Sequence, residues 1–566
     1  MAILATAQFR IRPSGNDVNG GAYDPSISGA LNTTLNGSIT SGATTITVAS
    51  ATGWPGSGNY YARIGSLVET LAGGNGTAGF SEVVLVTGGQ GTTTWTVTRA
   101  QLGTSALAQA TAQIVDNDIS RCDTALYSGT LGTSTASTTF TDAGASFNIA
   151  MVGMAIFLAS GTGTTPGTYF ITAVASGISL TLDRASGTYT AGVYKIGGAW
   201  ANVQTFANPV ISGNTCYVRG IGNASGTPGT PDYTHATANI GAGAPNSGYA
   251  RVIGENGMPG LKGSSNTVAT FSPGMEISNL YFIGAATGST SVVIGSGTSG
   301  DVYIGCKFDQ NGFDQTLFSG SSSASRFINC EFLNSGSAPA AANAAVTITS
   351  GSIGFYNCNA HDLTSTFLGA TGDAACSGVE ILNSIIASCG ADSISIASPG
   401  ASSNSFVTIS GNTIDGGTGN GIVFSRFNSL AGAIVTNNIF SNITGAGKFA
   451  IDNTGNTQVD ADKLKLLIDY NAFYNNTANY NAITAGTHDT ALVTSPYVAQ
   501  STENYTLTAA AAAILLGAGY LGAAYPQSIS GKTATVRSYV TPGAIQPNTQ
   551  PGGLLVNPGM SGGVRG

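Results

Sequence analysis

Apolar and polar positions along this chain follow one short pattern eight times between residues 275 and 473. In each copy an apolar residue is followed two positions later by a bend residue, and three positions after that by a second small or apolar residue. The copies are Ile277-Asn279-Phe282, Tyr303-Gly305-Phe308, Phe327-Asn329-Phe332, Phe355-Asn357-Ala360, Ile381-Asn383-Ile386, Ile409-Gly411-Ile414, Val435-Asn437-Phe440 and Ile468-Tyr470-Phe473. Their last positions are 26, 24, 28, 26, 28, 26 and 33 residues apart. A period of this size predicts stacked repeats that bury a shared core.

Each copy combines strand alternation with a bend. Val407 and Ile409 alternate with polar residues, which is typical of a β-strand. Ile409 and Ile414 are five positions apart, so strict alternation cannot point both inward and the backbone must turn between them. Asn or Gly stands at that point in seven of the eight copies, and these residues tolerate left-handed backbone conformations. The pattern therefore predicts a coil of parallel strands wound into a solenoid.

The residue after each bend forms a second column of mostly small side chains. Its members are Leu280, Cys306, Cys330, Cys358, Ser384, Asn412, Asn438 and Asn471. Stacked at a strand spacing of ~4.8 Å, the amides could hydrogen-bond along the column. The three aligned cysteines could form a metal or redox site, or act as small buried hydrophobic residues. We favour the second interpretation and expect the thiols to be buried and reduced.

The Ile-x-Asn-Asn-x-Ile/Phe coil resembles the right-handed parallel β-helix of pectate-lyase-like proteins and phage tailspikes. The resemblance covers residues 199–500. It implies a fold and not an activity, because lyases, hydrolases and inert spikes share this architecture. The expected fold class is all-β, with small N-terminal β-barrel or sandwich modules followed by a right-handed single-stranded parallel β-helix.

Five regions follow from the distribution of strand patterns and turn residues. Strand-rich stretches punctuated by Gly and Pro predict two small β-modules, and residues 39–115 are similar to modules of tailed-phage structural proteins. Residues 199–209 predict a helix that ends at a proline and caps the first coil, and residues 460–469 predict a second helix. The regions are an N-terminal arm or frayed terminus (1–30), a β-module for virion attachment (31–118), a second β-module (119–197), a capped parallel β-helix (198–500), and a closing segment with a C-terminal arm (501–566).

Composition narrows the functional class. Only 8% of the residues are charged, and the net charge of −8 argues against nucleic-acid binding, which requires clustered Lys and Arg. No apolar run approaches the ~20 residues of a membrane helix. Residues 1–5 lack the features of a signal peptide, and seven cysteines, an odd number, suggest synthesis in a reducing cytoplasm. We expect a virion component that is assembled in the host cytoplasm.

Candidate chemistry is sparse. Polysaccharide-cleaving enzymes need paired carboxyl groups, and His361 with Asp362 is the best single candidate pair. Asp309 and Glu331 are the other catalytic candidates, although Glu331 is expected to form a surface ion pair with Lys307 on the adjacent coil. Asp309 and Asp415 share a column but stand four coils apart, ~19 Å at the strand spacing. Loop acids that could converge across faces are Asp314, Asp373 and Asp392. The three histidines have no metal-ligand spacing, so we assign no metal and no cofactor.

These observations favour a structural protein of a tailed-bacteriophage virion: a fibre, spike or capsid decoration that serves host-surface attachment. The alternatives are a tailspike depolymerase that cleaves host polysaccharide and a bacterial surface adhesin. Expected partners are other virion proteins, a host surface glycan and the chain itself, as a homotrimer. Ile385 and Ile439 stand in an outward column, and apolar residues there suggest a partner surface.

Overall fold

The computed structural model describes the chain in 19 segments. These are residues 6–65, 81–164, 166–202, 214–220, 232–235, 238–240, 250–255, 258–263, 267–271, 274–284, 292–296, 300–312, 315–321, 323–335, 344–370, 376–397, 406–425, 432–454 and 466–515. The chain divides into two compact units, Met1–Ser264 with Val268–Ile283, and Ser265–Thr267 with Gly284–Gly566. Most of the expected capping helix, residues 460–465 and the chain after residue 515 lie outside the described residues.

In the first module of the first unit, the described residues form a six-stranded antiparallel sheet. Along one strand Trp95 and Val97 are buried between exposed threonines, as alternation predicts. Trp95 packs edge-on against Trp54 and Tyr60, with ring centroids 5.0 and 5.7 Å apart. The strands are Asn32–Thr34, Thr45–Thr47, Tyr60–Ile64, Glu82–Gly88, Thr94–Gln101 and Ile114–Asp116, and a 3-10 turn follows at Ile119–Arg121.

The second module is a closed antiparallel barrel. Its core contains Phe140 and Tyr194, whose ring centroids are 4.7 Å apart, and the Tyr194 hydroxyl donates to Asp142. The strands are Tyr127–Thr135, Thr139–Thr141, Ala155–Thr164, Gly167–Ser176, Ser179–Leu182 and Gly187–Ile196, with a 3-10 turn at Ile149–Met151. The expected small N-terminal β-modules are confirmed.

The N-terminal strand Gln8–Ile11 covers the first coil of the solenoid. It pairs in parallel with Thr215–Arg219 and antiparallel with Ala22–Tyr23. Trp200 joins Ile11 through a parallel bridge, so the described start of the predicted capping helix is not helical. Both β-modules are therefore inserted between this capping strand and the first coil, and the N-terminal strand satisfies backbone groups of the strand edge that the helix was expected to protect.

Buried ion pairs join the capping strand, the first module and an early coil. Arg63 is fully buried and binds both carboxylate oxygens of Asp116. Arg10 lies 3.3 Å from Glu255 and 3.9 Å from Asp118, measured between guanidinium nitrogens and carboxylate oxygens. Such pairs make each charge dependent on its partner, because an unpaired buried charge is strongly unfavourable.

In the described residues the solenoid is a parallel β-helix with three sheets, whose strands pair in parallel with strands of neighbouring coils. In the first unit the strands are Thr215–Arg219, Ala250–Glu255 and Met275–Ser278 in sheet 1, Tyr233–His235, Gly260–Gly263 and Tyr281–Ile283 in sheet 2, and Ala238–Ile240 and Ala269–Phe271 in sheet 3. The predicted parallel β-helix is confirmed.

The second unit also has three strands in each coil. Sheet 1 contains Val302–Ile304, Ser323–Ile328, Gly351–Tyr356, Cys376–Leu382, Phe406–Ser410, Gly432–Thr436 and Leu466–Asp469. Sheet 2 contains Lys307–Asp309, Glu331–Leu333, Asn359–His361, Ile385–Ala387, Thr413–Asp415, Ile439–Ser441, Ala472–Tyr474 and Thr490–Leu492. Sheet 3 contains Val293–Ser296, Phe318–Ser321, Val346–Ile348, Leu368–Ala370, Ile394–Ala397, Ile422–Ser425, Ile451–Asp452 and Tyr480–Asn481. The expected helix at 460–469 is wrong for residues 466–469, which form a strand of sheet 1.

The bend between sheets 1 and 2 has the predicted conformation in all eight copies. The bend residues have φ values between 52° and 72°, in the left-handed region. Gly411 meets this requirement without strain, and the asparagines tolerate it. Tyr470 is the one bend residue of the eight that is neither Asn nor Gly. Its φ is 61°, and its ring stacks on that of His488 with centroids 4.4 Å apart.

The column after the bend is the predicted ladder. The amide of Asn412 donates to Asn438 Oδ1 at 2.9 Å, and the amide of Asn438 donates to Asn471 Oδ1 at 3.0 Å. The backbone N–H groups of Asn412 and Asn438 donate to the same two oxygens. The amides therefore satisfy buried backbone groups that would otherwise lack partners.

The thiols of Cys306, Cys330 and Cys358 are buried, as expected, and none of the three belongs to a disulfide. Burial raises the pKa of Cys330 well above its usual value. We therefore expect native-state alkylation of these three residues, followed by mass spectrometry, to be at least 100-fold slower than in denaturant, because the thiolate is the reactive form. An introduced cysteine at exposed Val493 is the control, and labelling of the three at the rate of that control would contradict the assignment.

Candidate functional site

The site that sequence patterns single out lies on the outer face of sheet 2. His361 ends the strand Asn359–His361, and its neighbour Ala360 is buried in the solenoid core on the opposite face. Asp362 follows with φ 52°, in the left-handed region. Its position is therefore explained in part by the backbone, because a short polar side chain tolerates this bend.

Three of the predicted residues come together here. The Nε2 atom of His361 lies 3.0 Å from Glu331 Oε1, one coil away, and its Nδ1 atom lies 3.1 Å from Asp362 Oδ2. The expected ion pair between Lys307 and Glu331 is present at 3.3 Å. The adjacent coils thus place Lys307, Glu331 and His361 in one chain of alternating charge.

Glu503 completes the cluster, although no pattern in the sequence points to it. Its Oε1 atom lies 3.2 Å from His361 Nδ1. It sits in the C-terminal segment, residues 493–515, which contains Tyr497–Ala499, a 3-10 turn at Gln500–Thr502, Asn504–Leu507 and the helix Ala509–Leu515. Glu503 follows the solenoid repeat and shares none of its periodicity, so spacing arguments could not find it.

The C-terminal segment packs over the outer face of sheet 2. Ile439 and Ala472 are buried in one cluster with Tyr497, Tyr505 and Leu515, and Ile385 packs against this cluster. The apolar outward column is therefore covered by the chain itself. The expectation that Ile385 and Ile439 mark a surface for a partner molecule is wrong.

Asp415 anchors the C-terminal segment from beneath. This buried carboxylate accepts hydrogen bonds from Ser441 at 2.6 Å, Gln500 at 2.5 Å and the Tyr505 hydroxyl at 3.2 Å. These three donors satisfy hydrogen-bonding capacity of the buried Asp415 carboxylate. Asp415 serves attachment of the segment, as the His361 cluster does at the neighbouring coils.

Asp309 does not join the cluster. Its side chain is buried, and Oδ1 accepts from the backbone N–H groups of Asn311 at 2.7 Å and Ser335 at 2.8 Å. These bonds fix a turn. Asp392 likewise accepts from the backbone N–H of Asn420 at 2.7 Å. Asp314 and Asp373 lie outside the described residues.

The electrostatics of the cluster favour a protonated His361. Burial lowers the pKa of this imidazole, but hydrogen bonds to Glu331 and Asp362 and the charge of Glu503 outweigh it and raise the pKa to about 9. The hydrogen bond from His361 holds the pKa of Glu331 below its usual value. Burial raises the pKa of Glu503. An imidazolium between carboxylates at neutral pH has no free lone pair with which to act as a general base.

A metal ion bound at this cluster would compete with the proton on the His361 imidazole. His361, Asp362 and Glu503 offer ligand atoms within 4.8 Å of one another. A metal requires neutral imidazole, whereas the carboxylates here stabilise the charged form. The three residues therefore fit an ion-paired cluster better than a metal site.

The raised pKa predicts a pH-dependent stability. The stabilisation that protonated His361 adds to the folded state is fully present below the unfolded-state pKa of 6.5, and it is lost as the pH rises through the folded-state pKa of about 9. Relative to His361→Gln, the wild-type protein should gain about 1–2 kcal/mol of unfolding free energy at pH 6, after allowance for the exposed partners. The difference should vanish near pH 10. Denaturant titrations at both pH values measure it, and an equal difference at both would contradict the charged assignment.

The remaining described histidine side chain, His488, is also paired with an acid. Its Nδ1 atom lies 2.7 Å from Asp469 Oδ2, and its backbone N–H donates to Asp469 Oδ1 at 2.7 Å. The side chain of His235 lies outside the described residues. Among the described residues no helix is long and apolar enough to cross a lipid bilayer.

Comparisons with known proteins find no matching family model and no matching curated protein. Among solved structures, pectate lyase Pel9A is 15% identical, with a TM-score of 0.37 over 60% of this chain and 89% of that one. The Gp54 tailspike of Acinetobacter baumannii bacteriophage AP22, in complex with a capsular saccharide, is 9% identical, with a TM-score of 0.17 over 81% of this chain and 65% of that one. Neither likeness carries a functional argument. The parallel β-helix is established by the strand pairing of the chain itself.

Proposed function

We propose that this chain is a structural protein of a tailed-bacteriophage virion, a fibre, spike or capsid decoration that displays its β-helix to the host surface. The observation that carries the proposal is the construction of the first unit. Two small antiparallel modules are inserted between the capping strand Gln8–Ile11 and the first coil, and the buried Arg10 of that strand pairs with Asp118, at the end of the first module, and with Glu255 of the solenoid. A display element needs such a fixed junction between its attachment modules and its repeat.

The organisation of the solenoid also supports a structural role. The outer face of sheet 2 is covered by the C-terminal segment around Ile385, Ile439 and Ala472, and the candidate catalytic residues are engaged in holding it or in fixing turns. Low charge and the buried amide ladder from Asn412 to Asn471 suit a long-lived structure outside the cell. In this proposal the chain is assembled in the host cytoplasm and becomes part of the virion.

Polysaccharide cleavage is the second candidate function, because one observation favours it. Ligand oxygens of Asp362 and Glu503 lie within 4.8 Å of each other, close to the ~5 Å separation of the two carboxyl groups in retaining glycosidases. If the chain is a depolymerase that uses this pair, Glu503→Gln must abolish release of reducing ends from host polysaccharide. On the structural proposal, the wild-type protein releases none.

The homotrimer remains part of the proposal on resemblance alone, since the outward isoleucines no longer support it. Sedimentation equilibrium of the purified chain tests it directly. A trimer mass is expected, and a monomer at all concentrations would remove this element of the proposal.

The virion role is tested by the composition of particles. Cells that produce the chain are lysed, particles are purified on a density gradient, and their proteins are identified by mass spectrometry. The chain should co-purify in a constant ratio to the major capsid protein, and particles from cells with the gene deleted should lack it. Recovery of the chain only in particle-free fractions would overturn the proposal.

A further inference from the structure

A shallow depression lies on the outer face of sheet 1, a different face from the one that carries the His361 cluster. It has a volume of about 260 Å³ and is formed by four neighbouring strands, from Ser323–Ile328 to Phe406–Ser410. This is slightly smaller than most ligand pockets, so a ligand would remain partly in solvent. The residues that give it chemical character are Arg326, Gly354, Tyr356, Gly378, Glu380 and Phe406.

Glycine and tyrosine form the floor of the depression. In register, Gly354 stands between Arg326 and Glu380. A Cβ atom on Gly354 would lie 2.7 Å from ring atoms of Tyr356, so the tyrosine ring lies across this glycine. The Tyr356 hydroxyl donates to Glu380, and the guanidinium of Arg326 interacts with the same hydroxyl. The ring is therefore held in place between two charged groups.

Phe406 forms the wall. Its side chain is 51% exposed, and both of its register neighbours, Gly378 and Gly432, lack side chains. The two adjacent positions of its own column therefore offer no side chain to cover its ring. A single exposed aromatic residue needs no explanation, but this one stands beside a fixed tyrosine, a hydrogen-bond donor and an acceptor.

We propose that this depression binds a saccharide chain of the host surface. The apolar C–H face of a sugar would pack on the Phe406 ring, while sugar hydroxyls donate to Glu380 and accept from Arg326. One positive and one negative charge balance each other, so neutral hexose residues suit the site better than a polyanion. The three spacings between the four strands give the depression a length of roughly 14 Å, which is enough for two or three sugar residues.

This inference deepens the proposed function, because it names a ligand for the displayed β-helix, and it rests on that function only for the source of the saccharide. The probe is an array of neutral and acidic oligosaccharides from bacterial capsules and lipopolysaccharides, followed by calorimetry with the strongest binder. Wild-type protein should bind neutral oligosaccharides. Phe406→Ala and Glu380→Gln should each weaken binding by about 10-fold or more, as expected for a stacking platform or a polar contact worth ~1.4 kcal/mol.

Leu131→Ala is the matched control, because Leu131 is 56% exposed on the second β-module. It should bind as the wild type does, and unchanged melting of all variants shows that they are folded. Absence of binding to every oligosaccharide, a preference for acidic ones, or equal binding by Phe406→Ala and Glu380→Gln would overturn the inference. Particle composition is measured separately, so a chain that joins particles but binds no sugar keeps the virion role and loses this site.

Discussion

Arg63→Ala should lower the unfolding free energy of the first unit by about 3–5 kcal/mol. Arg63 is fully buried; its Nε donates to Asp116 Oδ1 at 2.7 Å, and its Nη1 donates to Ser81 Oγ at 2.8 Å. Removing the guanidinium leaves Asp116 buried without its principal counter-charge. The three tryptophans of the chain all belong to this unit, so tryptophan fluorescence during denaturant unfolding reports on it selectively.

Arg251→Ala is the control for this experiment. Arg251 pairs with Glu276 at 3.7 Å but is 55% exposed, so its removal should cost less than about 1 kcal/mol. The double variant Arg63→Met/Asp116→Leu should recover much of the loss, because it removes both charges and keeps apolar volume. Equal effects of Arg63→Ala and Arg251→Ala would show that the buried Arg63–Asp116 pair does not stabilise the first module.

Phe332→Ala should destabilise the second unit by about 3–5 kcal/mol, the usual cost of removing a buried aromatic ring. Phe332 is fully buried and stacks on Phe308 at a centroid distance of 4.9 Å. It also contacts Phe327, Phe355 and Phe367, at 5.3, 5.7 and 5.4 Å. The cavity would thus interrupt the aromatic cluster that surrounds the column of Phe308 and Phe332 inside the coils.

Scanning calorimetry measures this loss, since the second unit contains no tryptophan. Val493→Ala is the control, because Val493 is 89% exposed, and its effect should stay within about 0.5 kcal/mol. A Phe332→Ala transition at the wild-type temperature would contradict the inward assignment of this column.

The repeat could be predicted from sequence because it is local. The bend needs a residue in the left-handed conformation between two inward positions. Eight copies of the repeat, with bend residues from Asn279 to Tyr470, meet this requirement. The ladder after it could be predicted for the same reason, since a position that repeats every coil stacks on itself. Regular spacing fixes register, and register fixes which side chains meet.

Contacts between distant, non-repeating segments could not be predicted. Glu503 reaches His361 from 142 positions later in the chain, and Gln8–Ile11 pairs with Thr215–Arg219 across both modules. Neither segment follows the solenoid period. The prediction of a partner surface at the outward isoleucines is wrong for the same reason, because a sequence pattern indicates that Ile439 is covered but not which segment covers it.

Electron microscopy of gold-labelled particles tests the central claim, that this chain is a displayed virion protein, most directly. Antibodies raised against residues 31–197 and against residues 300–515 are applied to particles from cells that produce the chain. We predict that both antibodies label the same defined position on the particles. Gold confined to the bacterial surface, or absent from particles that are otherwise intact, would contradict the account.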